Sequence, residues 1–272
     1  MDEAYDLGGS KMTKKITMGV TDLSFHRTTA SLVANVLQAM GFEVERIFSP
    51  HQENFEKLKA GQVDMLSSAW LPSSHGIYKA GVEEVEPLVE LGLHYEPYAL
   101  WGVPDYVPEE AVSEVSDLLK AEVIEKMNST IQGINPGAGI TRFSIQMMKD
   151  YGLSDVGYEF FSGSEADCFD AFESAVANKE WVIVPLWKPQ FLHYRYDIRE
   201  LKEPKGLLGI VDRAVLLLRD DKKLLFSEEQ IQKLDSLRFS NDIIAELDYK
   251  VCREGKSQDQ VTHDWLVEHG LI

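Results

Sequence analysis

The hydrophobic positions of this chain switch between short apolar runs, which suit buried strands, and the three-to-four-residue spacing of amphipathic helices. Lys15 to Val20 reads as a strand, Thr28 to Met40 as an amphipathic helix closed by Gly41, and Glu43 to Ile47 as a second strand. Together they make a strand-helix-strand unit. A helix at Gln52 to Lys59 follows, then a strand at Asp64 to Ser68 that runs into Trp70-Leu71-Pro72. The rhythm resumes with a polar loop and helix over Pro108 to Lys126, a strand at Thr130 to Ile134, and the tight turn Asn135-Pro136-Gly137-Ala138-Gly139, which opens a helix at Ile140 to Tyr151. Glu159 to Phe161 reads as a short strand, Glu165 to Asn178 as a helix, and Trp181 to Pro185 as a strand with a continuous apolar run. Alternation of this kind predicts an α/β protein.

The two alternating blocks join near Pro104 to Pro108, and a return stretch at Gly206 to Arg219 leads into a helical tail. The expected organisation is two α/β lobes crossed twice by the chain, with residues 13–105 and 208–272 in lobe 1, residues 106–207 in lobe 2, and a ligand cleft between them. Residues 1–12 are polar and Gly-containing and read as a leader or tag outside the fold. Open parallel sheets bind ligands at the carboxyl ends of their strands. Asp22 to His26, Trp70, the Asn135 to Gly139 turn and Trp187 all sit at such ends.

Composition narrows the function. The chain has 272 residues, 44% of them hydrophobic, enough for a full core. Its 45 acidic residues against 27 basic ones give a net charge of −18, which leaves no cationic surplus for nucleic acid. No run approaches the roughly 18 apolar residues that cross a bilayer. Cys168 and Cys252 lie far apart in helix-like patterns and suggest neither a disulfide framework nor a metal cluster. Phosphate-loop, nucleophile-elbow and H-E-x-x-H motifs are missing from the sequence. Of the seven histidines, His26 and His75 lie at strand ends, and none has the i, i+4 spacing that puts two ligands on one helical face. No catalytic residue, metal or cofactor is expected, and His75 reads more readily as an ordinary hydrogen-bonded loop residue than as a catalyst.

What the strand ends do supply is aromatic faces and backbone donors. An onium group donates no strong hydrogen bond, so rings must hold it, at about 0.5 to 2 kcal/mol per well-placed face. Trp70 and Trp187 each follow a strand and are followed by Leu71-Pro72 and Lys188-Pro189. Filling of core space is the competing role for either one. The turn around Gly137 lets a ligand approach the backbone, and the first amides of the following helix suit a carboxylate.

These residues carry a resemblance. Ala69-Trp70-Leu71-Pro72-Ser73-Ser74-His75, Asn135-Pro136-Gly137-Ala138-Gly139-Ile140 with Tyr151-Gly152-Leu153, and Trp187-Lys188-Pro189 through Tyr196-Asp197-Ile198 to Glu203-Pro204-Lys205-Gly206 occur in that order. The chain resembles, over roughly Lys15 to Leu271, the glycine betaine and proline betaine substrate-binding proteins of osmoprotectant ABC importers, which have a type II periplasmic-binding-protein fold. The resemblance implies a tryptophan cage around a quaternary ammonium, with Trp70 and Trp187 as two walls, and carboxylate contacts from Gly137, Ala138, Gly139 and Ile140, with His75 nearby. Two departures stand out. Ala138 occupies a place where some members carry a cage tryptophan, and Pro189-Gln190-Phe191 stands where others have Pro-His-Trp, so that Gln190 replaces a carboxylate-binding histidine or the contact is lost. Phe25 and Trp101 are the rings available to close the cage, with Tyr98 a third choice. The implied protein is a monomeric, extracytoplasmic receptor that captures glycine betaine, proline betaine, carnitine or choline for a membrane permease. A sensory or regulatory ligand-binding domain, or an enzyme on the same scaffold, is the alternative.

Overall fold

The computed structural model describes residues 13–272. The leader expected at 1–12 lies outside the described residues. In chain order the first elements are β1 (Lys14–Thr21), α1 (Ser24–Ala39), β2 (Phe42–Ser49), α2 (His51–Lys59), β3 (Met65–Leu71), α3 (Gly76–Glu83), β4 (Leu88–Tyr95) and β5 (Tyr98–Pro104). The middle of the chain holds α4 (Ala121–Ile124), β6 (Thr130–Gln132), α5 (Gly139–Asp150), β7 (Glu159–Phe161), α6 (Glu165–Ala177), β8 (Val184–Lys188), α7 (Leu192–Arg195) and β9 (Ile198–Glu200). The chain then returns through β10 (Arg213–Arg219) to the helices α8 (Glu228–Ser236), α9 (Asn241–Cys252) and α10 (Gln258–Glu268). Among the described residues, no helix is long and apolar enough to cross a membrane.

β1, β2 and β3 pair in parallel, and β10 inserts antiparallel between β3 and β4, giving the five-stranded order β2-β1-β3-β10-β4. A β-bulge in β3 aims the site. Between Val215 and Leu217 only Leu216 stands on β10, whereas Ser67 and Ser68 both stand opposite it on β3, and Ser68 adopts φ 59°. An extra residue flips the side-chain parity of everything beyond it. Met65 and Trp70 therefore pack into the same apolar cluster, on the side of α1, while Leu66, Ala69 and Leu71 pack on the other face with Phe55 and Leu58 of α2. Without the bulge Trp70 would face α2.

β5 pairs antiparallel with β8 on one side and β9 on the other, and β6 with β7 forms a parallel pair. The chain leaves the five-stranded sheet after Tyr95, because β5 is hydrogen-bonded to β8 and β9 and not to β4. The proline cluster at Pro104 to Pro108 reads as a linker in sequence, yet it follows the first strand of the second sheet. The two connecting segments touch, since Asp212 donates its backbone N–H to Pro97 O at 2.7 Å.

Two further elements differ from expectation. α1 starts at Ser24, a turn before Thr28, with Leu23 as a cap residue that has no capping side chain. Glu165 of α6 supplies the missing acceptor, taking the Ser24 N–H at 3.0 and 3.1 Å. The strand expected at Trp181 to Pro185 is shifted to Val184–Lys188, with Trp181 only bridging to Met127. Both Trp70 and Trp187 consequently lie within strands and not just after them.

Candidate ligand-binding site

Three rings converge from three elements. Phe25, in the first turn of α1, stands 5.3 Å from Trp70 of β3 and 5.4 Å from Trp187 of β8, centroid to centroid, at tilts of 39° and 49°. They are 2%, 7% and 1% exposed, so any ligand between them is desolvated. Trp70 is fixed by its indole N–H, which donates to Tyr95 Oη at 3.1 Å. Tyr95 Oη in turn bonds the bulge residue Ser68, whose Oγ lies 2.9 Å from His26 Nδ1. Trp187 rests against Phe169 of α6, and its indole N–H is buried with no partner among the described residues. The rings enclose a cavity completed by Leu23, Ala99, Ile134 and the start of α5, with about 20 Å³ open to the centre of a water molecule. A wider hollow of about 470 Å³ beside Tyr98 is open and carries Glu96, Lys188, Arg238 and Asp242 on its walls. It offers no enclosed ring face for an onium.

The opposite end of the cavity is polar. α5 begins at Gly139 with Ala138 as its cap residue, and no side chain caps it. The first N–H groups of the helix are thus left beside the cavity walls Ala138, Gly139 and Ile140, where they favour an anion. Arg142 clamps this corner by donating to Gly137 O at 2.7 Å and Ser74 O at 2.6 Å, while Tyr78 Oη donates to Gly137 O at 2.9 Å. Ser73 and Ser74 donate their N–H groups to the Asp212 carboxylate at 2.7 and 3.0 Å. On the other rim, Arg27 of α1 reaches Glu165 of α6 at 3.3 Å. Burial lifts the Glu165 carboxyl above its ordinary value, against the opposing pull of the Ser24 N–H and Arg27.

Three buried histidines back this polar end. His26, His51 and His75 bring one ring nitrogen each within 4.8 Å of the others. Burial holds His26 and His75 well below the ordinary value, with the neighbouring rings adding to it, and holds His51 at about 4. All three are neutral at pH 7. Neutral imidazoles can ligate a metal, but Trp70 N–H donates to His75 Nδ1 at 2.9 Å, which leaves the ring's own proton on Nε2. Neither His75 nitrogen then has a free lone pair, so the set does not suit a metal.

The chain is similar to known proteins. The sequence profile of the substrate-binding domain of ABC-type glycine betaine transport systems matches residues 14–268. The chain belongs to this family. The glycine betaine/carnitine transport binding protein GbuC of Listeria monocytogenes is 25% identical over 151 residues, which cover 54% of this chain and 48% of GbuC. The chain thus spans about half the length of that relative. Lactococcal OpuAC, in a closed conformation with glycine betaine, superposes with a TM-score of 0.81 at 22% identity, covering 94% of this chain and 96% of that one. ProX from Borrelia burgdorferi, a glycine betaine/L-proline-binding protein, gives 0.79 at 26% identity over 94% and 93% of the chains. These neighbours have the two-lobed type II periplasmic-binding fold.

Within this family member the structure brings Phe25, Trp70, Trp187, His75, Ala138, Gly139 and Ile140 together around one cavity. Gly137 stands just behind, its carbonyl taken by Arg142 and Tyr78. Trp101 is elsewhere: it is fully buried and donates its indole N–H to Ser144 of α5 at 2.8 Å. Gln190 is also fully buried but off the cavity, its Oε1 accepting the Leu192 N–H at 2.6 Å. Tyr98 donates to Glu200 at 2.7 Å in the open hollow. Sequence reasoning missed His51, and it named Leu23 and Ser74 only as parts of the Asp22 to His26 and Ala69 to His75 stretches. His51 was open to detection, since Pro50-His51 follows β2 at the same carboxyl edge as the other site residues.

Proposed function

We infer that the protein is the ligand-capturing subunit of an ABC importer, acting outside the cytoplasmic membrane, where it binds a quaternary-ammonium solute and delivers it to a membrane permease. The observation that carries this reading is the triangle of Phe25, Trp70 and Trp187 faced by the uncapped start of α5. Cation at the rings and anion at the amides fit a betaine, and family membership supports transport over turnover. Phe25 lines the same cavity as Trp70 and Trp187, with Ala138 among its walls, which supports Phe25 as the third ring of the cage.

Capture proceeds by closure. One lobe comprises the five-stranded sheet with its helices and the other the sheet β8-β5-β9 with α5 and α6, hinged at Glu96-Pro97 and at 207–212. The Asp212 carboxylate sits on a hinge segment and holds Ser73 and Ser74, which meet Gly139 and Arg142 across the cleft. Ligand bound between the rings draws these groups together, and the closed form is what the permease recognises. The test is a tryptophan-fluorescence titration with glycine betaine, proline betaine, carnitine and choline. A saturable response to at least one below millimolar concentration is expected, and no response to any of them would overturn the ligand class.

A further inference from the structure

We propose that His51 makes the cavity selective for hydroxyl-bearing quaternary-ammonium ligands, with its Nδ1 accepting the ligand's hydroxyl proton. The inference rests on the ligand class just given and selects within it. His51 opens α2 directly after β2, is 3% exposed, and lines the cavity. Its Nδ1 is buried and has no hydrogen-bond partner among the described residues. Asn135 lies beside the ring, and its side chain favours a proton on the imidazole. Asn135 Oδ1 accepts the Gly137 N–H at 3.1 Å, which fixes that oxygen as an acceptor, and the proposal puts the neutral ring's one proton on Nε2 and leaves the unpartnered Nδ1 to accept from the ligand.

His75, with its ring centroid 5.3 Å away, is the complement. Its Nδ1 is taken by the Trp70 N–H, so Nε2–H is a fixed donor. His26 completes the cluster with Nδ1 on Ser68, and Arg142 adds a positive charge that disfavours a proton on His51. The polar end therefore presents an acceptor and a donor side by side. A hydroxyl satisfies both, donating to His51 and accepting from His75. A carboxylate has no proton to give, so binding it alone leaves the buried His51 lone pair set against another lone pair. A site built to hydrogen-bond a hydroxyl rejects the analogue that lacks it.

Two matched pairs isolate the hydroxyl: choline against ethyltrimethylammonium, and carnitine against γ-butyrobetaine. Calorimetric titration of the full chain is expected to show the hydroxylated member of each pair binding roughly 5- to 150-fold more tightly. His51→Phe is expected to bring each ratio close to one, whatever the absolute affinities, and His51→Asn, which keeps an acceptor near the Nδ1 position, to restore part of it. Asn135→Ala, which frees the ring to shift its proton to Nδ1, provides a second route to the same collapse should the phenylalanine variant fail to fold. Equal affinities within both pairs in the wild type overturn the inference while leaving the ligand class standing, as does a preference that persists in His51→Phe or in Asn135→Ala. Failure of all four compounds and of glycine betaine to bind overturns the underlying reading instead.

Discussion

Gly139 is the point where closure has least tolerance. A Cβ placed there would stand 2.9 Å from Ser74 Oγ, 3.0 Å from Ser74 Cβ and 3.2 Å from Ser74 Cα. The hydroxyl tip can swing away, but the Cα cannot, because Ser74 is tied to Asp212 through its N–H and to Arg142 through its carbonyl. Gly139→Ala must then hold β3's end and the start of α5 apart by a few tenths of an ångström. Overpacking of this kind costs about 1 to 3 kcal/mol. At 1.4 kcal/mol per tenfold, this predicts a dissociation constant roughly 5- to 150-fold weaker. On the proposed closure the contact forms only with ligand, so the melting temperature without ligand should stay within about 2 °C of the wild type. Isothermal titration with the tightest-binding of glycine betaine, choline and carnitine reads the first quantity, and thermal denaturation the second. An unchanged affinity would refute the role of this approach in the bound form, and a large loss of stability without ligand would mean that the contact is permanent packing.

Other outcomes follow from the same geometry. Trp187→Ala removes a wall of the proposed cage and should cost about 1 to 2 kcal/mol of affinity, measured by calorimetry, whereas an unchanged constant would take Trp187 out of the cage. Glu165→Ala leaves the start of α1 without its acceptor and Arg27 without one partner, so affinity should fall by about 1 kcal/mol; no change would place that pair outside the closed form. Stability should also depend on pH in two opposed ways. His51, His94 and His193 are held at about 4, chiefly by burial, so their stabilising contribution is complete above their ordinary 6.5 and is lost as pH falls toward 4. Asp248, which accepts from Ser24 and Thr28 behind α1, is pushed up to about 7 by burial, so its contribution is present below its ordinary 3.8 and is lost as pH rises through 7. Melting temperature should climb from pH 4 to 6.5, and climb more steeply in Asp248→Asn; an unaltered slope would show that Asp248 is ionised in the fold.

Much of the α/β alternation was legible because each element carries its own period, and the turn at Asn135 to Gly139 announced α5 through its proline and glycines. Trp70 and Trp187 were legible as strand-end aromatics. What escaped is set by partners distant in sequence. The bulge that turns Trp70 toward α1 exists only where β3 meets β10, and the early start of α1 depends on Glu165. Trp101 shares a strand face with the cavity residue Ala99, but two residues on it is already behind α5, against Ser144, and no local pattern separates the two. Prolines at 104 and 108 read as punctuation, while β5 just before them pairs with β8 and β9, strands more than 80 residues further along the chain. Gln190 was assigned by position in a motif, and its side chain instead closes its own turn.

The most direct test of the central claim is a crystal structure of the protein with choline or glycine betaine bound. The account predicts the trimethylammonium group enclosed by Phe25, Trp70 and Trp187, with the ligand's polar end directed at His51, His75 and the amides of Gly139 and Ile140. Ligand seated in the open hollow beside Tyr98 and Lys188, or rings that leave the ammonium uncontacted, would contradict it.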